Sequence, residues 1–262
     1  MTEENGELPV GRILVALDAT VGAEAAVRAA AELAAALQAE LEALFVEDTN
    51  LLRLAGLPFA REVGFQSATG RPLNLEAVVR SLKAQAARME RMLTLAARQL
   101  QVHCSFRVTQ GRVLPEALSQ TRDADLLVLG RAGRILSFRL SVRAGAPPPV
   151  LAVFDGTSRG YRALGAGVLL AARTGRKALV LIPEPSRNRF LTLRGRAQEW
   201  LHRRGQGAGF EQVHGPDLES VMQRLKTLKA DAVVLPEPRE GITESQLRAL
   251  LNAVDGEVLL AR

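Results

Sequence analysis

The chain has 262 residues, room for two domains of ordinary size, and its 47% hydrophobic and 24% charged residues are the balance of a soluble globular protein. No apolar run approaches the ~20 residues of a membrane helix, and a single cysteine, Cys104, excludes an internal disulfide and a multi-cysteine zinc site. The formal charge of +6 rests mainly on arginines interspersed with carboxylates, so charge alone singles out neither nucleic acid nor a membrane as partner.

The acidic, polar stretch Met1–Glu7 reads as neither a secretory signal nor a transit peptide, which leaves the cytoplasm as the expected compartment. Arg12–Leu17 reads as a buried strand ending at Asp18, with Thr20 as cap of an alanine-rich helix from Gly22 to Gln38. Leu41–Val46 is the next strand, and a strand–helix–strand unit implies parallel pairing. Glu47–Gly70 breaks the rhythm with Leu51, Leu52, Leu54, Leu57 and Phe59 around Gly56 and Pro58, a partly helical excursion packed on the domain or on a partner. A long helix spans Leu73–Leu100. The alternation of Val102, Cys104, Phe106 and Val108 then predicts a strand in which Cys104 is buried and inert.

Leu114–Thr121 reads as a short helix, and Leu126–Leu129 is an unbroken apolar run suited to a strand buried on both faces. It ends in Gly130-Arg131-Ala132-Gly133, where glycines allow a sharp turn or close approach to a ligand. At the carboxyl end of a strand such a loop is either a phosphate cradle or an ordinary strand-to-helix turn. Ile135–Ala146 has no clean period, and Pro147–Pro149 end it. Strands follow at Val150–Phe154, Ala178–Ile182, Phe210–Val213, Ala232–Leu235 and Glu257–Leu260. Helices are expected at Ser158–Arg173, Arg187–Arg204, Leu218–Leu228 and Thr243–Ala253, with Gly205–Gly209 as a linker.

The two halves repeat. Leu14–Asp18 with Thr20 aligns with Leu151–Asp155 with Thr157, and the register holds without a gap to Glu47 and Glu184. Phe106–Gly111 aligns with Phe210–Gly215, and Ala124-Asp125 with Ala230-Asp231. This pattern argues for duplication of one α/β module, at 1–147 and 148–262.

Ile13-Leu-Val-Ala-Leu-Asp18, the alanine-rich helix, the long second helix and Ala124-Asp-Leu-Leu-Val-Leu-Gly-Arg-Ala-Gly133 together resemble the universal stress protein family. The resemblance implies an α/β, Rossmann-like fold of the adenine nucleotide alpha hydrolase type, duplicated in tandem, each module a parallel sheet flanked by helices. It also implies that the first and fourth strands are neighbours, setting Asp18 beside the Gly130 loop. Members that bind ATP carry Gly-x2-Gly-x9-Gly followed by Ser or Thr. Here Gly130 and Gly133 fit, but the third glycine falls on Arg143 and the hydroxyl on Ala144. The implied ATP site is Asp18, Ala19, Gly130, Arg131, Gly133, Arg134 and Arg143, with arginines replacing lost backbone and hydroxyl contacts. In the second module Pro236-Glu237-Pro238 stands in for the glycine loop; proline has no N–H and glutamate repels phosphate, so no nucleotide is expected there.

The first module lacks an evident fifth strand. The exposed sheet edge that this leaves must be covered by the second module, by the Leu51–Phe59 excursion or by another subunit. Asp18 reads equally as an adenine contact or as a strand-end cap, whereas Asp155 reads as a cap. His103, His202 and His214 are scattered, with no metal-ligand spacing or adjacent nucleophile, and no Walker lysine follows the glycines. The expectation is a non-catalytic stress-response protein that acts by regulated binding, with ATP in the first module, no metal, no membrane or nucleic acid, and a homodimer or another protein as partner. The alternative is a structural module that binds no nucleotide and works by dimerisation or docking.

Overall fold

The computed structural model describes residues 10–19, 23–63, 70–120, 123–129, 148–228, 230, 232–254 and 256–262. The first half runs β1 (Arg12–Leu17), α1 (Ala23–Leu37), β2 (Glu40–Asp48), α2 (Thr49–Ala55), β3 (Arg61–Val63), β4 (Gly70–Pro72), α3 (Leu75–Leu100), β5 (Cys104–Gly111), α4 (Val113–Gln120) and β6 (Leu126–Leu129). The second runs β7 (Val150–Val153), α5 (Ser158–Arg173), β8 (Ala178–Pro183), α6 (Arg187–His202), β9 (Gly209–Val213), α7 (Leu218–Leu228), β10 (Ala232–Pro236), α8 (Glu244–Ala253) and β11 (Glu257–Ala261). The excursion after β2 is a short helix followed by the hairpin β3–β4, whose antiparallel pairing no sequence pattern announced.

Both halves lie in one nine-stranded sheet of order β5-β2-β1-β6-β11-β10-β7-β8-β9. Within each half the pairs are parallel. At the join β11 runs antiparallel to β6, from Val258 opposite Leu129 to Ala261 opposite Leu126. The edge that the first half leaves open is therefore covered by the last strand of the second half. β6 reads Leu-Leu-Val-Leu and is buried throughout, as a strand with neighbours on both sides and helices on both faces must be.

One face is covered by α1, α3 and α5, whose small and branched side chains Val27, Ala31, Leu93, Ala163 and Leu170 share a core with Val15, Val128 and Leu259. The other face carries α4, α7 and α8 through Ala117, Leu225 and Leu250 over Leu127, Val233 and Leu260. α6 closes the outer end against Phe154 and Ile182 through Phe190, Ala197 and Leu201.

Candidate functional site

In the first half, β1 and β6 are adjacent and in register to Ala16 opposite Leu129. β2 lies on the far side of β1, so the crevice between β1 and β6 is a switch point of strand order, where open α/β sheets take ligands. Asp18 and Ala19 leave β1 at this edge, both partly buried, with Ala19 packed on the core. The chain leaves β6 at Leu129 and enters the glycine loop; Gly130, Arg131, Gly133, Arg134 and Arg143 lie outside the described residues, as do Thr20 and the Ile135–Ala146 stretch.

Two further carboxylates stand at this edge. Glu47, near the end of β2, is 8% exposed, and its Oε2 accepts a 2.9 Å hydrogen bond from Gln110 Nε2. Glu257, one residue before β11 begins to pair with β6, is 2% exposed. The described residues at this edge of the sheet thus include three carboxylates, Asp18, Glu47 and Glu257, the last two buried. Any phosphate there would need the arginines of the loop.

The equivalent crevice of the second half, between β7 and β10, is filled by the chain itself. Glu237 is 6% exposed and is held bidentately by Arg262 through Nε and Nη2. Arg159 Nη1 donates to the carbonyls of Glu237 at 3.2 Å and Pro238 at 3.4 Å. Arg162 donates to the Arg262 carbonyl and pairs with Asp125 Oδ1 at 3.4 Å. Asp155 Oδ1 accepts from the Thr157 N–H at 2.9 Å and hydroxyl at 2.6 Å, while the Thr157 hydroxyl caps α5 by accepting from Gly160 N–H at 3.0 Å. Asp155 therefore does not cap the helix itself; it orients the residue that does. Gly156 turns the chain at φ +81°, and a Cβ there would lie 2.6 Å from Leu193 Cδ2.

Arg159 and Arg162 were not singled out from the sequence, although basic residues in the opening turns of a helix, where acids are usual, could have flagged them. Glu257 had no signal, because its burial depends on β11 docking against the first half. Cys104 corrects another expectation: it is exposed, because β5 is an edge strand. Desolvation raises its thiol pKa, against the opposing pull of Arg98, so the unreactive thiol form prevails at neutral pH. His103, His202 and His214 are all exposed. Arginines of α6 and of the turn after it stack on rings: Arg187 lies over Phe190, Arg196 over Tyr161 and Arg204 over Trp200, the last at 3.8 Å from the ring centroid. Among the described residues no group of three or more His, Cys, Asp or Glu could hold a metal ion, and no helix is long and apolar enough to cross a membrane.

Among solved structures, a universal stress protein from Archaeoglobus fulgidus DSM 4304 aligns with TM-score 0.56 at 9% identity, covering 97% of this chain and 98% of that one. A functionally unknown protein from Pseudomonas aeruginosa PAO1 aligns with TM-score 0.47 at 14% identity, over 96% of this chain and 92% of that one. The cytoplasmic domain of a prokaryotic cation chloride cotransporter gives 0.46 at 9% identity, over 96% and 95%. At its identity the archaeal likeness is one of fold. No curated protein matches the sequence. The universal stress protein family itself matches residues 9–141, the stretch that holds β1, the long helix α3 and β6 with its glycine loop. The chain belongs to the universal stress protein family.

Proposed function

We propose that this universal stress protein is a cytoplasmic, non-catalytic member that acts in the stress response by regulated binding, with ATP held by the first half. In this reading 1–147 and 148–262 are tandem modules. Asp18 and Ala19 receive the adenine end, and Gly130, Arg131, Gly133, Arg134 and Arg143 receive the phosphates through backbone N–H groups and guanidinium ions. The supporting observation is the asymmetry of the two crevices: Asp18 stands partly buried at a strand-order switch, while the matching edge of the second half is taken up by Glu237, Arg262 and Arg159. Binding without turnover is in keeping with the absence of a Walker lysine after the glycines.

A second reading is favoured by that same filled crevice and by the missing third glycine: a module that binds no nucleotide and works through a homodimer or another protein partner. Calorimetric titration with Mg-ATP at physiological salt separates the two. Saturable binding is expected, weakened about tenfold or more by Asp18→Ala, as removal of a charged hydrogen-bond acceptor implies, and unchanged by Asp155→Ala. No heat at millimolar nucleotide hands the function to the docking reading. Equal losses in the two variants would assign the wrong half, and phosphate release above background would end the non-catalytic assignment.

A further inference from the structure

The sheet has two edges, and they are built differently. β9 is five residues long, starts at a glycine, and is tied down on its own side: Glu211 pairs with Arg224, and Gln212 Nε2 donates to the Glu184 carbonyl at 2.8 Å. β5 is eight residues long and pairs with β2 without a bulge from Leu41 opposite Cys104 to Asp48 opposite Gly111. It has no proline and no lysine, and among the described residues no strand pairs with its outer side. Natural sheets blunt such an edge with charge, bulges or a covering element. Here Cys104 and Val108, the latter 50% exposed, flank Phe106 on one face, and the one cation of the strand, Arg107 on the other face, is paired with Glu42 of β2.

The hydrogen-bond direction of this edge follows from one contact. Leu41 N–H donates to the His103 carbonyl at 2.9 Å, so His103 and, by alternation, Ser105, Arg107 and Thr109 turn their backbone groups towards β2. Cys104, Phe106, Val108 and Gln110 turn theirs outward. Pairing β5 antiparallel with itself about a two-fold axis at Phe106 puts these outward residues opposite one another. Cys104 then faces Val108 of the second copy, and Phe106 faces Phe106 of the second copy. On the other face Arg107 meets Ser105, and His103 meets Thr109. Slipping the centre one residue towards Arg107 sets two guanidinium groups opposite each other, which is destabilising. Slipping it towards Ser105 sets Arg107 against His103 and shortens the ladder. The sequence of β5 is thus self-complementary in one register.

We infer that β5 is a self-association edge, through which two copies of this chain join their nine-stranded sheets by antiparallel pairing centred on Phe106. The apolar face of the new ladder continues the layer in which Phe106 already packs, with its ring centroid 6.5 Å from that of Phe45. The inference goes beyond the nucleotide reading: β5 is separated from β1 by β2, so assembly and nucleotide binding can fail independently.

Sedimentation velocity on the full chain at micromolar to tens of micromolar concentration tests it, with circular dichroism as a control for folding. The wild type should reach a dimer. Val108→Pro removes an outward N–H that the monomer fold does not use, and should weaken association tenfold or more; Val108→Lys should do the same through charge, should the proline variant not fold. Val108→Cys should cross-link through Cys104 of the second copy under mild oxidation, since opposed residues in such a pair lie at a Cα separation a disulfide can span. The wild type should not cross-link, nor should Val108→Cys combined with Cys104→Ser. A wild type that stays monomeric, a folded proline or lysine variant that dimerises as well as the wild type, or cross-linking that survives Cys104→Ser would overturn the inference.

Discussion

Asp125 ties together parts of the chain that are far apart in sequence. Its Oδ2 accepts from Gly11 N–H at 2.8 Å and Arg12 N–H at 3.1 Å, its carbonyl accepts from Arg262 N–H at 2.9 Å, and its Oδ1 faces Arg162. The aspartate of the repeated Ala-Asp pair thereby holds the start of β1 to the start of β6 and links the first half to the filled crevice of the second. Asp125→Ala leaves the partly buried Arg12 N–H and the exposed Gly11 N–H without their acceptor and should cost about 1–2 kcal/mol in urea unfolding, with Asp125→Asn losing less because one acceptor remains. Asp217 is a surface counterpart. Its carboxylate accepts from Ser220 N–H at 2.7 Å at the start of α7, and that backbone bond, reinforced by the Ser220 side chain, lowers its pKa. A lowered folded-state pKa stabilises above the unfolded value and is lost as pH falls through the folded one. The stability gap between wild type and Asp217→Ala should therefore be present at neutral pH and close in acid, below the ordinary aspartate range, as the carboxylate takes up its proton; a gap that persists in acid would mean that charge is not its source.

At the scale of elements, what the sequence made legible was local. α5 spans the Ser158–Arg173 that the sequence pattern indicated, although Thr157 rather than Asp155 caps it, and α8 is capped by Thr243, whose side chain and that of Gln246 form a reciprocal capping box. Thr243→Ala should lower stability by about 1 kcal/mol, measurable as a shift in the urea midpoint. Packing decides other positions against local propensity. Gly167 lies on the buried face of α5 where a Cβ would sit 2.8 Å from Ala152 Cβ on β7. Alanine there gains about 1 kcal/mol of helix propensity but forces a backbone shift costing about 1–3 kcal/mol, so Gly167→Ala should be neutral to destabilising; a clear gain in thermal stability would show that α5 can slide. The burial of Cys104 was misjudged for a related reason. Alternating Val102, Cys104, Phe106 and Val108 reads the same in a central strand as in an edge strand, and only the sheet order distinguishes them. The place of Asp18 at the end of β1 was legible from the strand pattern, whereas Glu257 at the first-half edge and Arg262 in the filled second-half crevice depend on β11 docking beside β6.

At the scale of the molecule, the missing fifth strand of the first half was visible as a gap in the sequence, and the partner that fills it was one of three candidates. The answer is a continuous sheet in which β6 and β11 exchange an antiparallel ladder and Arg112 of the first half reaches Glu244 of the second. A fragment ending at Pro147 would expose the apolar edge of β6, and it should aggregate where the full chain does not, as light scattering at equal concentration would reveal. Reversal at the join also sets the strand directions of the two halves against each other. The helices that follow the strands inherit that opposition, so α1, α3 and α4 start at one end of the molecule and α5 to α8 at the other. Their macrodipoles accordingly oppose and largely cancel over the whole protein. The helices therefore give an approaching anion little preference for one end of the molecule over the other, and which end attracts it is decided by the local side-chain charges there.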